Sequence, residues 1–273
     1  MYLCSTRKLK DMKLKASTAF TYHLNYPTPI ITILRPHNNL EQTVLEDSML
    51  VFPKVKINQY LDVFGNACQR MLWKDGEVKI QTETIVEVRS EVERDETADY
   101  VLVEELPSAM IQFLLPSRYC LSDTEDIRRL ALQIITDIEI GFLQVEAIRK
   151  WIFENIEYQY GFTFSHTSSN DILTNRIGVC RDFSHLAIAL CRSINIPARM
   201  VVGFLKDLPF SDLHAWFEAF VGDKWYIFDA IQKSTLGGRI VLAYGRDAND
   251  VAFITQFGNL DLLSMNVKVE EVG

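Results

Sequence analysis

The chain has 273 residues, a formal net charge of −8, 48% hydrophobic residues and 23% charged ones, close to an ordinary soluble globular protein. The acidic balance argues against a nucleic-acid partner held by phosphate neutralisation, and no apolar run approaches the roughly 18 residues of a membrane span. Five cysteines, an odd number with no C-x-x-C pair, indicate neither a disulfide framework nor a metal cluster, so no cofactor and no metal are expected.

The N-terminal stretch "MYLCSTRKLKDMKLKAST" is basic and lacks the apolar core of a signal peptide. A cytoplasmic protein with reduced thiols is the expectation. Residues 1–11 read as a disordered lead.

Residues 12–118 read as an N-terminal β-sandwich-like domain. "LKASTAFTYHL" alternates loosely, and "TPIITILRP" is an apolar strand closed by proline. Two further runs flank Asp75-Gly76, a dipeptide that predicts a β-hairpin. No helix of useful length is expected in this part.

The pattern changes in residues 119–273. In "SDTEDIRRLALQIITDIEIG", Ile127, Leu130, Ile134 and Ile138 recur at helical spacing. Ser122 or Asp123 fits the N-cap and Gly141 the C-cap. A second helix carries Ala147, Ile148, Trp151, Ile152 and Ile156, and "YQYGFTFSHTSSND" reads as a loop. Three strands follow later, "ARMVVGFL", "HAWFEAFV" and "KWYIFDAI"; Gly222-Asp223 predicts a hairpin between the last two.

Between loop and strands lies "NRIGVCRDFSHLAIALCRSINIPARMV". Phe183, Leu186, Ala187, Leu190, Cys191 and Ile194 define one helical face, and Pro197 ends it. The helix therefore starts near Cys180, with Gly178 as a flexible entry. A helix N-terminus offers unpaired N–H groups and partial positive charge, which favour thiolate and can hold an oxyanion. Cys180 is thus a candidate nucleophile.

His185 is not its expected base. Five residues rotate it about 140° around the helix from Cys180, with a rise of roughly 7.5 Å. It reads as a structural residue bonded to a neighbouring element. His214, which opens one strand, and Asp229, which closes the next, fall near the same end of the predicted hairpin. They fit a base and the carboxylate that orients it. Trp216 shares a strand face with His214 and reads as a site wall or a core residue. Tyr158 and Tyr160 are weaker candidates for an oxyanion hydroxyl.

The strings "GVCRDFSHLAIALCRSINIPARMV", "HAWFEAFV", "KWYIFDA" and "AYGRDANDVA" together resemble the bacterial transglutaminase-like family, whose members are often described as cysteine proteases. The resemblance is strong over residues 140–270, and the preceding β region is similar to the β domain of that family. It implies an α+β, papain-like core of helices packed on an antiparallel sheet. It makes residues 119–273 the catalytic domain, with Cys180 as nucleophile, His214 as base and Asp229 as acid. It also implies cleavage of a peptide or amide substrate through a thioester acyl-enzyme.

One departure is local. Ala230 and Ile231 follow Asp229 where the family usually has proline and threonine, which predicts a more flexible exit. The segment Gly245–Asp247, with Asp250 beyond, is either a cleft wall or a charged turn. Two other readings stay open: a transglutaminase, in which an amine takes the place of water, and a non-catalytic scaffold that kept the fold. No acidic calcium loop of the EF-hand type is visible. The sequence leaves the oligomeric state unassigned.

Overall fold

The computed structural model describes residues 11–208 and 212–273. The expected lead, residues 1–11, lies outside them except for Asp11, which opens the first strand. The N-terminal part contains β1 (Asp11–Leu24), β2 (Thr28–Thr32), β3 (Gln42–Phe52), β4 (Asn58–Leu61), β5 (Ala67–Trp73) and β6 (Gly76–Arg89). Period-two burial puts Leu14, Ala16, Phe20 and Leu24 of β1 on one face, with Val78, Ile80, Val86 and Val88 of β6 beside them.

The chain ends in β13 (Ile254–Gln256) and β14 (Asp261–Val272), and these join the same part. One antiparallel sheet runs β14-β1-β6-β3 and another β13-β2-β5-β4. Both contribute to one apolar core, with Trp73 and Ile30 from the second meeting Phe20 and Ile80 from the first. The division expected after residue 118 therefore does not hold to the end of the chain.

The Asp75-Gly76 turn is not a hairpin. β5 pairs with β2 and β4, while β6 pairs with β1 and β3. The turn is a corner that carries the chain from one sheet to the other, with Gly76 at φ 99°. Met71 and Trp73 before it and Val78 and Ile80 after it all enter one core, so packing across the sandwich replaces strand pairing.

The helices are α1 (Glu125–Ile134), α2 (Phe142–Asn155), α3 (Ser169–Asn175) and α4 (Cys180–Ser193). Thr124, not Ser122 or Asp123, stands at the N-cap position of α1, without a side-chain capping bond, and the helix stops well before Gly141. Gly141 instead precedes α2, at φ 92°, where a Cβ would lie 2.2 Å from the Ala98 carbonyl oxygen. Ala98 is thereby free to accept from Phe142 N–H at 2.9 Å. The short helix α3 interrupts the expected loop. Ser168 N–H donates to the Asp171 carboxylate at 2.8 Å, and the Ser168 hydroxyl accepts from Asp171 N–H. Such a cap contributes about 1 kcal/mol.

The second half also holds the two-residue strands β7 (Glu157–Tyr158) and β8 (Ile177–Gly178), which pair in parallel. Its main sheet is formed by β9 (Ala198–Leu205), β10 (His214–Val221), β11 (Lys224–Phe228) and β12 (Arg239–Gly245), in the antiparallel order β11-β10-β9-β12. The predicted hairpin is present, with Val221 opposite Lys224. Gly222 at φ 53° and Asp223 at φ 73° give two left-handed turn residues, as a tight two-residue hairpin requires. α4 packs on β9 and β10, and α1, α2 and α3 pack around α4. The helix is buried on every side from Asp182 to Ser193. This is an α+β core of helices on an antiparallel sheet. Among the described residues, no helix is long and apolar enough to cross a membrane.

The N-terminal part also closes the β12 edge of this sheet. The Gln42 carboxamide accepts from Val241 N–H at 2.8 Å and donates to Val241 C=O at 2.9 Å. The Asn66 carboxamide treats Tyr244 the same way, at 2.8 Å for both bonds. Both amides are buried. They occupy the ladder positions an added strand would fill, so no backbone group at these two residues is left without a partner.

Candidate active site

Cys180 is the first residue of α4, and its side chain is half-buried. Three local features hold this helix start. The Asp182 carboxylate accepts from Val179 N–H at 3.0 Å and from the Thr163 hydroxyl at 2.6 Å. Gly178 is needed for close approach rather than for flexibility, because a Cβ there would lie 2.8 Å from the Asp182 Cβ. The β7–β8 pair sets Tyr158 opposite Gly178. Asp182 is fully buried. It was not singled out from the sequence, although an acid three residues beyond the N-cap is the signature of a reciprocal cap.

His214 opens β10 opposite Gly203 of β9, and Asp229 stands one residue beyond β11. Their side chains meet across the hairpin end. His214 Nε2 donates to Asp229 Oδ2 at 2.6 Å, both groups being almost completely buried. Nδ1 is left without a partner at full hydrogen-bond geometry. Cys180 acts on the imidazole through hydrogen bonding and charge, and with Nε2 taken by Asp229 the nitrogen left to serve it is Nδ1. The structure thus brings together the three residues singled out from the sequence.

The electrostatics follow from this burial. Desolvation alone would lower the His214 pKa. The Asp229 charge and hydrogen bond, with Cys180 behind them, overcome it and push the imidazole up to about 9. Desolvation also works against the Asp229 carboxylate, but the His214 and Arg239 charges hold it well below the usual carboxylate range. At neutral pH the imidazole is therefore an imidazolium beside the Asp229 carboxylate.

The exit after Asp229 is not loose. Asp229 N–H donates to the Thr235 hydroxyl at 3.1 Å, and Ile231 N–H donates to Asp229 Oδ1 at 3.2 Å. Arg239 Nη2 adds a buried ion pair to Asp229 Oδ2 at 2.8 Å. Side chains thus do what a stiff proline would have done. Arg239 was invisible to sequence reading, since nothing local in "GGRIVLAYG" points back ten residues.

Trp216 is fully buried, and its ring stacks on His214 with centroids 5.9 Å apart. It backs the imidazole from within the sheet and is not a wall open to substrate. Tyr158 lies close enough to Cys180 for the thiol's charge to act on its phenol, whose pKa rises first through burial and then through that charge. Its hydroxyl donates to Tyr160 at 3.3 Å, and Tyr160 donates to Asp212 at 3.2 Å. Burial raises the Asp212 pKa.

His185 is structural. Its Nε2 accepts from Ala248 N–H at 3.1 Å, and its ring stacks on Tyr119 at 5.2 Å. Burial pushes its pKa down to about 3, so the ring is neutral. The segment 245–250 is a fixed turn on that flank of α4. Asp247 accepts from Tyr119 N–H at 2.9 Å, Arg246 pairs with Asp250, and the Arg246 carbonyl accepts from Arg192 near the helix end. Among the described residues, no group of three or more His, Cys, Asp or Glu side chains is arranged to hold a metal ion.

The model of the transglutaminase-like superfamily core matches residues 128–230, a span that includes Cys180, His214 and Asp229. The crystal structure of a candidate cysteine protease from Cytophaga hutchinsonii is 36% identical and superposes with a TM-score of 0.91. It covers 97% of this chain and 92% of that one. An uncharacterized protein of Mycobacterium leprae (strain TN) is 27% identical over 235 residues, 80% of this chain and 82% of the relative. Another, from Mycobacterium tuberculosis (strain ATCC 25618 / H37Rv), is 31% identical over 115 residues, 37% of each chain. The chain belongs to the transglutaminase-like superfamily.

Proposed function

We propose that this protein is a cysteine-dependent hydrolase that cleaves a peptide or amide bond through a thioester acyl-enzyme. The observation that carries the reading is the buried His214 imidazole, held by Asp229 through Nε2 and acted on by Cys180, which stands at a helix start. The likeness to a candidate cysteine protease over nearly the whole chain supports it.

In the first step the Cys180 sulfur attacks the substrate carbonyl carbon, and the charge moves to the carbonyl oxygen. The Cys180 and Arg181 N–H groups at the start of α4 are the candidate donors for that oxyanion, since those of Asp182 and Phe183 already donate to the Val179 carbonyl. As the C–N bond breaks, His214 delivers its Nδ1 proton to the departing amine, and a thioester remains on Cys180. Water then attacks the thioester and gives a proton to Nδ1. The C–S bond breaks, the acid leaves, and the sulfur is a thiolate again. Asp229 keeps Nε2 protonated throughout, so Nδ1 is the nitrogen that exchanges the proton.

The test is a screen of peptides, isopeptides and simple amides with Cys180→Ala as the control, reading hydrolysis and amine incorporation in parallel. Product acid formed by the wild type and absent from the variant supports the hydrolase. Amine incorporation that outruns hydrolysis would make the protein a transglutaminase. Equal turnover by both forms would remove Cys180 from the chemistry.

A further inference from the structure

Three residues account for the proposed chemistry, yet Asp229 has a second buried partner. Arg239 Nη2 donates to the same oxygen, Asp229 Oδ2, that accepts from His214. The guanidinium is itself fixed on several sides. Nε donates to the Leu236 carbonyl at 2.8 Å, Nη2 also donates to Gln232 Oε1 at 2.9 Å, and the cation lies over the Trp216 ring at 4.9 Å. Trp216 in turn stacks on His214. Arg239 therefore touches the carboxylate and the ring that backs the imidazole.

What presents Arg239 is the N-terminal β region. The residues just before it are pinned to the end of β6: Gly238 N–H donates to the Arg89 carbonyl at 3.0 Å, and a Cβ on Gly237 would lie 2.3 Å from the Ser90 carbonyl oxygen. Farther along β12, Gln42 and Asn66 clamp Val241 and Tyr244. Strand β12 thus has its register fixed from both partners, β9 on one edge and the β region on the other.

We propose that Arg239 is a positioning residue for the reaction: held by the N-terminal β region, it fixes the Asp229 carboxylate and shares its charge, limiting how strongly Asp229 stabilises the His214 imidazolium. The inference rests on the assignment of Cys180 and His214 made above. It gives the β region a part in the chemistry.

The charge logic has a definite sign. A cation on Asp229 offsets part of the negative field that the imidazolium feels. Removing it leaves Asp229 wholly to His214, so the imidazolium persists to higher pH. The other groups facing this array are Cys180 and Asp212 toward His214, Tyr158 and Tyr160 toward Cys180, and Glu218 toward Arg239. Glu218 is already paired with Arg199 at 2.6 Å and does not replace Arg239 on Asp229.

The experiment reads alkylation of Cys180 by iodoacetate against pH and needs no knowledge of the substrate. An anionic reagent favours a thiolate beside an imidazolium, so the rate rises as the pair forms and falls as His214 loses its proton. The wild-type alkaline limb is expected near the His214 value of about 9. In Arg239→Gln it should move upward by roughly half a unit to one unit. Arg239→Met is a second neutral variant whose side chain packs without needing polar partners, for use where the glutamine form does not fold. Arg239→Lys keeps the charge and should keep the limb in place. A limb that stays at its wild-type position in a folded neutral variant overturns the inference alone. A wild-type profile lacking both limbs overturns the nucleophile assignment, and the inference falls with it.

Discussion

His214 Nε2 donates to Asp229 Oδ2 across 2.6 Å, and Arg239 reaches the same oxygen at 2.8 Å. One carboxylate oxygen therefore carries both the orientation of the base and a structural ion pair, and a change at Asp229 removes both together.

Asp229→Asn should lower kcat by roughly 10²- to 10⁴-fold. An amide can donate to Nε2 and so force the proton onto Nδ1, the wrong nitrogen for taking one from Cys180. The variant should also lose stability, because Arg239 keeps its charge in a buried site without its counter-charge. Breaking such a pair costs about 3–5 kcal/mol. The measurements are kcat at saturating substrate and a thermal midpoint on the same preparation. An unchanged kcat would make Asp229 a turn residue and leave the orientation of His214 to some other group.

Cys180→Ala should remove turnover by a factor on the order of 10³ or more and leave the fold in place. The thiol sits at the half-buried start of α4, and alanine tolerates that position. Circular dichroism and the thermal midpoint establish the fold, and hydrolysis of the best substrate from the screen gives the rate. Residual amidase activity above a percent or so of wild type, on the scale of triad deletions, would exclude Cys180 as nucleophile.

His185 provides the contrasting case and sets an acid limit on stability. Its ring is buried and neutral, with a pKa pushed down to about 3, whereas an unfolded histidine titrates near 6.5. Between those values the unfolded chain binds a proton that the native one does not, so stability falls as pH drops below about 6.5. Replacing His185 with Gln keeps an acceptor for Ala248 N–H and removes the titration. From pH 6.5 to 4.5, wild type should lose roughly 2 kcal/mol more than His185→Gln, read by chemical denaturation at each pH. At neutral pH the variant's kcat should stay within a few-fold of wild type. Loss of turnover in a folded His185→Gln protein would show that the wrong histidine has been placed in the site.

Much of the site was legible because its signals are local. Cys180 begins an amphipathic run, and His214 and Asp229 bracket a hairpin whose turn is written as Gly222-Asp223. Less of its support could be read. Asp75-Gly76 carries the same chemical signature as a hairpin turn, yet only the pairing of β5 and β6 with different partners reveals a corner between sheets. Gly141 looks like a C-cap until the Ala98 carbonyl fills the space its side chain would need. Gln42, Asn66 and Arg239 act on residues 199, 178 and 10 positions away. A polar side chain in a strand leaves no periodic trace of such a partner. What was missed is thus mainly what holds the three reactive groups, not the groups themselves.

Gly203 tests whether that support matters to the chemistry. It sits on β9 between His214 of β10 and Val241 of β12. A Cβ there would lie 1.9 Å from the Ile240 carbonyl oxygen and 3.1 Å from the outer edge of the Trp216 ring. The backbone oxygen cannot yield as a flexible side chain would, so Gly203→Ala must push β12 away from β9 or tilt Trp216 into His214. Either movement disturbs the Arg239–Asp229–His214 array. We expect a loss of about 2–4 kcal/mol and, in the folded fraction at low temperature, a kcat reduced at least tenfold. Gly76→Ala serves as the control. It places alanine at φ 99° with no atom within 4 Å, so it costs only backbone strain, roughly 1–3 kcal/mol, and leaves the site alone. A Gly203→Ala protein with a lowered midpoint but wild-type kcat would show that the array tolerates displacement of β12, and that its geometry is set by the β10–β11 hairpin alone.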